Sequence, residues 1–223
     1  MADWQETIER LLARDEAPPV LTRDLLKRYS GAANDSRPVP PSSLTYWVAA
    51  MVRRQTLLPV QRGLFLNAFR KRRATLADAC FWYHPDAVVS LNTVLGDAGV
   101  LNNPTAVVTA VVPIDTRASP PSRLGRKTTK LGVIHFFGMP RHVLEAGDPD
   151  DRLDTTGRYE HLRATPERAL VDWLYLGLSP RSRKTLPPRL DIDTELLNKS
   201  RLARLASAIG LGAEIRTWAR GGS

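Results

Sequence analysis

PSSLTYWVAAMVRRQTLLPVQRGLFLN, running from Pro41 to Asn67, changes its hydrophobic period once, and that change decides the fold of the first third of the chain. Leu44, Trp47, Val48 and Met51 recur at the i, i+3, i+4, i+7 spacing of one buried helical face. Ser42, Tyr46, Ala49 and Arg53 fall on the opposite face, with Thr45 beside them, so Trp47 reads as core and Tyr46 as the exposed aromatic. TLLPV and GLFLN then read as two short β strands joined at Gln61-Arg62, with Gly63 able to take the positive φ of a tight turn. Helix followed by basic hairpin is the closing pattern of a winged helix-turn-helix.

Working outward, the stretch from Ser36 to Ala77 holds eight Lys or Arg and no acidic residue. Upstream, a helix is expected over Asp3 to Arg14, stopped by Pro18 and Pro19. VLTRDLLKRYSG predicts a second, with Thr22 as N-cap and Gly31 past its end. After the Pro-rich loop AANDSRPVPP, Ser42 or Ser43 is the expected cap of the third helix, whose positive dipole end favours a phosphate. Downstream, Arg70-Lys71-Arg72-Arg73 reads either as a solvated linker or as a reach to flanking phosphates. The candidate DNA-contacting residues are therefore Ser42, Ser43, Thr45, Tyr46, Ala49, Arg53, Arg54, Arg62, Arg70, Lys71 and Arg72.

The chain has 223 residues with 43% hydrophobic content, which suits two modest domains, expected at residues 1–72 and 73–223. The formal net charge of +9 calls for a polyanionic partner. Its distribution favours nucleic acid, because residues 1–75 hold 13 basic against 7 acidic side chains and the remainder holds 19 against 16. The single cysteine, Cys80, excludes an intramolecular disulfide and a cysteine-rich zinc site, and beside Phe81 and Trp82 it reads as a buried thiol. The charged N-terminus and the lack of a run near the roughly 20 apolar residues of a membrane span predict a cytoplasmic chain off the membrane.

The second part reads as mixed α/β, making the whole chain α+β. LADACFWYHPDAVVSLNTVLGDAGVL is expected to be helical, with Ala87, Leu91, Val94 and Leu95 on one face. Strands are expected from Ala106 and from Leu131, joined by the basic TRASPPSRLGRKTTK as a solvated hairpin loop, and a third over Tyr159 to Arg163. ATPERALVDWLYL is a helix with specific local chemistry: Thr165 caps, Pro166 suits the first position, Glu167 complements the positive end, and Leu170, Val171 and Leu174 face inward. A last helix is expected from Glu195 to Ile209, ending at Gly210.

No catalytic constellation emerges. GRKT at Gly125 to Thr128 lacks the first glycine of a phosphate loop. His84, His135, His142 and His161 are scattered without metal-ligand spacing, so neither metal nor cofactor is expected. Glu167 and Asp172, five residues apart, do not share a helical face and read as capping plus solvation or local pairing.

The wing sequence PVQRGLFLN, the segment FWYHPDAVVSLNTVLGDAGVL and above all HLRATPERALVDWLYL resemble the AbiEi family of antitoxins, the transcription-regulator half of bacterial abortive-infection toxin-antitoxin pairs. The resemblance spans about Val20 to Leu176. Two departures stand out: Arg54-Gln55-Thr56 where the family often has a glycine before the wing strand, and the Pro-rich loop before the third helix. The resemblance implies a winged helix that binds inverted repeats in double-stranded operator DNA at its own promoter. It also implies a C-terminal α/β antitoxin domain that counters a cognate nucleotidyltransferase-like toxin. A monomer or weak dimer without enzymatic activity is expected. Two other readings stand beside it: a winged-helix regulator with a ligand-sensing or dimerisation domain, and an enzyme that modifies the toxin.

Overall fold

The computed structural model describes residues 4–34, 37–115, 124–180, 182 and 184–221. The chain is α+β and divides into two compact units, Met1–Ala79 with Thr129–Gly132, and Cys80–Thr128 with Val133–Ser223.

The first unit runs α1 (Trp4–Leu12), β1 (Val20–Thr22), α2 (Arg23–Ala33), α3 (Pro41–Arg53), β2 (Leu57–Gln61) and β3 (Leu64–Asn67). The start of the first expected helix, residues 1–3, lies outside the described residues, as do residues 35–36 of the Pro-rich loop. Thr22 caps α2, its hydroxyl accepting from the Leu25 amide at 3.1 Å. Gly31 lies inside that helix rather than beyond it, since the chain continues to Asn34 before the cap. The three strands form an antiparallel sheet ordered β1-β3-β2, in which the short β1 was hidden from the sequence by its length. Gly63 takes φ +76 in the turn, and Pro59 is tolerated because β2 lies at a sheet edge, next to a bulge between Pro59 and Gln61.

Trp47 is the centre of this unit's core. It is 1% exposed, its ring lies parallel to Phe69 at 6.4 Å and tilted against Trp4 at 6.0 Å, and Leu44, Met51, Ile8, Leu12 and Leu57 close around it. Helix α3 ends in a Schellman motif: the Thr56 amide donates to the Met51 carbonyl and the Gln55 amide to that of Val52, both at 3.1 Å. Gln55 is thereby held at φ +59, the left-handed conformation that glycine ordinarily supplies.

The second unit comprises α4 (Cys80–Tyr83), β4 (Val88–Val89), α5 (Asn92–Asp97), β5 (Val108–Ile114), β6 (Gly125–Thr129), β7 (Gly132–Pro140), α6 (Arg141–Leu144), α7 (Pro149–Arg152), α8 (Pro166–Leu178), α9 (Lys199–Ala208) and α10 (Gly212–Ala219). Several expectations are corrected here. The segment from Leu76 to Leu101 is not one helix: Pro85 interrupts it, the β-branched Val88–Val89 pair with Val111 and Ala110, and Leu91 turns the chain at φ 60 and ψ −134 into α5. The expected inward residues Ala87, Leu91, Val94 and Leu95 are all buried. β5 and β7 are parallel, from Val108 opposite Ile134 to Ile114 opposite Pro140, so the segment between them is no hairpin loop. Residues 116–123 of that segment lie outside the described residues, and GRKT forms strand β6 beside β7, in the order β4-β5-β7-β6. Tyr159 to Arg163 makes only an isolated bridge, Arg163 opposite Val89. α9 begins at an Asn198 cap, and a further helix follows Gly210.

The α8 reading holds residue by residue. The Thr165 hydroxyl accepts from the Arg168 amide at 3.3 Å, Pro166 opens the helix, and Leu170, Val171 and Leu174 are fully buried. Its polar residues Glu167, Arg168 and Asp172 are buried as well, so the two carboxylates are paired rather than solvated. The Arg168 Nε donates to Asp172 at 2.6 Å, while the guanidinium also donates to the carbonyls of Val143 at 2.9 Å and Ala146 at 3.1 Å. The second Asp172 oxygen accepts from the Ser90 hydroxyl at 2.7 Å. Glu167 accepts from the Asn198 amide at 2.7 Å, tying α8 to the cap of α9.

Two stability outcomes follow. Asp172→Ala leaves the Arg168 charge buried without its partner and should destabilise the second unit by about 3–5 kcal/mol in urea unfolding, whereas Arg168→Met with Asp172→Leu should recover much of that loss. A cost under about 1 kcal/mol for the single change would contradict the assignment. Gln55→Val should cost about 1–2 kcal/mol because a β-branched residue resists the left-handed region, while Gln55→Gly should be neutral or stabilising; the reverse order would show that the helix end refolds around the substitution.

Candidate nucleic-acid interface

The exposed surface of the first unit is set by what its core removes. With Leu44, Trp47 and Met51 turned inward, α3 presents Ser42, Thr45, Tyr46, Ala49 and Arg53 outward, and Tyr46 is 71% exposed. No serine caps this helix. Pro40 occupies the cap and Pro41 the first turn, where its missing N–H and fixed φ suit the helix start, so Ser42 and Ser43 lie inside the first turn, Ser42 exposed and Ser43 half-buried. Arg53 closes the helix at its negative end, a favourable position for a cation, and Arg54 is the C-cap; both are exposed.

Arg62 is exposed in the turn of the β2–β3 hairpin. Arg23, which the sequence reading missed, brings that turn and α3 to one place. Its backbone amide donates to the Gly63 carbonyl at 3.0 Å, and its guanidinium donates to the Thr45 hydroxyl at 2.5 Å, which itself donates to the Pro41 carbonyl at 2.7 Å. Thr45 therefore positions Arg23 and α3 through its own bonds. A signal for Arg23 existed: a cation at the first position of α2 opposes the helix dipole, so something other than helix stability accounts for it.

The basic run after β3 is divided by the fold. Arg70 is only 5% exposed and its guanidinium donates to the Asp15 carbonyl at 2.7 Å, so it ties the chain back to the loop after α1 and is withdrawn from the candidate phosphate contacts. Lys71, Arg72 and Arg73 are exposed. The structure thus gathers Ser42, Tyr46, Ala49 and Arg53 on one helix face and links it through Arg23 to the turn carrying Arg62.

All four histidines of the chain belong to the second unit. His84 is buried edge-on to Phe136, His135 lies beside Phe137, and His142 is exposed. Burial, then the nearby Lys184 and Arg126 charges, hold the His135 pKa below the ordinary imidazole value. Glu167 and Asp172, both on α8, take separate partners: Glu167 accepts from the Asn198 amide and Asp172 from Arg168 and Ser90. Among the described residues no group of three or more His, Cys, Asp or Glu converges as a metal site would require, and no helix is long and apolar enough to cross a membrane.

No protein-family model matches this chain, and no curated protein does. In fold it is similar to the crystal structure of the RV2827C protein from Mycobacterium tuberculosis, with a TM-score of 0.53 at 20% sequence identity over 92% of this chain and 71% of that one.

The division of the basic run is open to measurement. Arg70→Ala should lower the stability of the first unit by about 1–3 kcal/mol through the lost buried hydrogen bond and stem packing, whereas Lys71→Ala should change it by less than about 0.5 kcal/mol. Equal stability of the two variants in urea titrations would return Arg70 to the solvent-facing set.

Proposed function

We propose that the first unit is a winged helix-turn-helix that binds duplex DNA, with α3 as the helix that reads base edges and the β2–β3 hairpin as the wing. The observation that carries this is the linked surface: an outward α3 face with Tyr46 and Arg53, joined through Arg23 and Thr45 to the Arg62 turn, with α3 and the turn both inside the acid-free stretch from Ser36 to Ala77. Arg54, Arg62, Lys71 and Arg72 anchor phosphates, and Tyr46, Ala49 and Arg53 face the major groove. With the AbiEi resemblance, the chain is proposed as the antitoxin of a toxin-antitoxin pair. It would repress its own operon at inverted repeats, and its second unit would counter a nucleotidyltransferase-like toxin. That second half of the proposal rests on the likeness of FWYHPDAVVSLNTVLGDAGVL and above all HLRATPERALVDWLYL, and within the latter Arg168 and Asp172 have buried, architectural roles.

Binding of the full chain to its own promoter should weaken on the order of a thousandfold between roughly 50 and 200 mM salt if several phosphates are contacted. Arg53→Ala should cost roughly 1–3 kcal/mol and relax sequence preference, and Arg62→Ala should weaken all sequences evenly. In cells, Arg53→Ala should damage repression and spare protection from the toxin. Salt-insensitive binding, or equal effects of both changes on specific and nonspecific DNA, would defeat the DNA reading; protection lost together with operator binding would defeat the separation of the two roles.

A further inference from the structure

The second unit contains a cleft of about 1020 Å³ with no part in the reading above. Its walls come from β7 with His135 and Phe137, from the end of α8 with Tyr175 and Ser179, and from the following segment with Lys184. That volume is at the upper end of what small-molecule sites occupy, and the lining joins aromatic faces to a few polar groups, as such sites do.

Lys184 gives the cleft its chemistry. Its ammonium nitrogen donates to Asn92 Oδ1 at 2.8 Å and lies 4.4 Å from the Trp173 ring centroid and 5.3 Å from that of Phe137. These neighbours fix the cation in place without neutralising it, for Asn92 is an uncharged amide and the rings offer only their quadrupoles. Among the described residues Lys184 makes no ion pair, and although Asp115 also lines the cleft, burial is what shifts the amine, taking its pKa down to about 8. At neutral pH the group is still mainly cationic, held at an apolar wall beside a His135 whose own pKa is pushed down. A desolvated cation in that setting is completed by an anion that brings its own apolar body.

We propose that this cleft binds a small aromatic carboxylate, its charged group pairing with Lys184 and its ring lying against Phe137 and Tyr175. The site is independent of the DNA reading, since every group it uses belongs to the second unit.

The test uses the full chain and two probes of matched shape, 2-naphthoate and the neutral 2-naphthalenemethanol, titrated by calorimetry. Naphthoate should bind saturably with a Kd below about 1 mM and at least about tenfold more tightly than the alcohol. Lys184→Met, which keeps the apolar stem, should remove that preference by weakening naphthoate about tenfold or more while leaving the alcohol unchanged, and Lys199→Met on the exposed face of α9 should bind as the parent does. Thermal unfolding of each variant establishes that it is folded. If Lys184→Met does not fold, the preference for anion over alcohol in the parent protein still decides. A Kd for naphthoate above about 1 mM, equal affinity for the two probes, or naphthoate binding unchanged in folded Lys184→Met would each overturn the assignment.

Discussion

The ion pair between Arg168 and Asp172 is the interaction around which the second unit is assembled. Both side chains are essentially removed from water, at 2% and 1% exposure, and desolvating either alone is expensive. The arrangement is tolerable because each charge is filled. Arg168 reaches Asp172 one helical turn away and donates also to the carbonyls of Val143 in α6 and Ala146 just after it, while Asp172 accepts from Ser90 at the end of β4. Segments far apart in sequence thus meet at one dry pair, and removing either member strands the bonds of the others.

The corner beside that pair is itself strained. Leu91, fully buried, sits at φ 60 and ψ −134, a conformation that costs a β-carbon residue about 1–3 kcal/mol. Its neighbour holds it there. The Ser90 amide donates to the Thr109 carbonyl at 3.1 Å, the Thr109 hydroxyl donates to the Ser90 carbonyl at 2.6 Å, and the Ser90 side chain is fastened to Asp172. The turn from β4 into α5 also sets Asn92 beside Lys184, so the strained corner and the cationic wall of the cleft share one structural cause.

What could be read from the sequence was local. The α3 face, the hairpin with Gly63 and the Thr165–Pro166 start of α8 each depend on residues within one turn or one strand pair, and each stands as expected. The parallel pairing of β5 with β7 was not legible, because pairing partners are chosen by the whole sheet and two apolar runs look alike in either direction. The break at Leu91 was hidden by apolar spacing that satisfies a helix while the actual conformation answers to Ser90 and Thr109. At the candidate interface the helix face was legible, but the partition of the basic residues was not: Arg70 turns inward to a distant carbonyl, and Arg23 enters through a hydrogen bond to Thr45, 22 positions away.

That bond bears on how the first unit would meet DNA. An arginine free at the surface loses rotamer freedom when it grips a phosphate, and that loss subtracts from affinity. Arg23 is ordered beforehand by Thr45, and its backbone also fixes the Gly63 turn, so α3 and the hairpin are held in register before any partner arrives. Its position at the start of α2 adds a cation to the positive end of the helix dipole, with Asp24 in the same turn as the helix's own complement. Under the proposed reading a phosphate set against this end is drawn by the guanidinium and the dipole together. Arg23 in this way serves both roles, fixing the turn and α3 through its own hydrogen bonds and adding its charge to the end of α2 that a phosphate would meet.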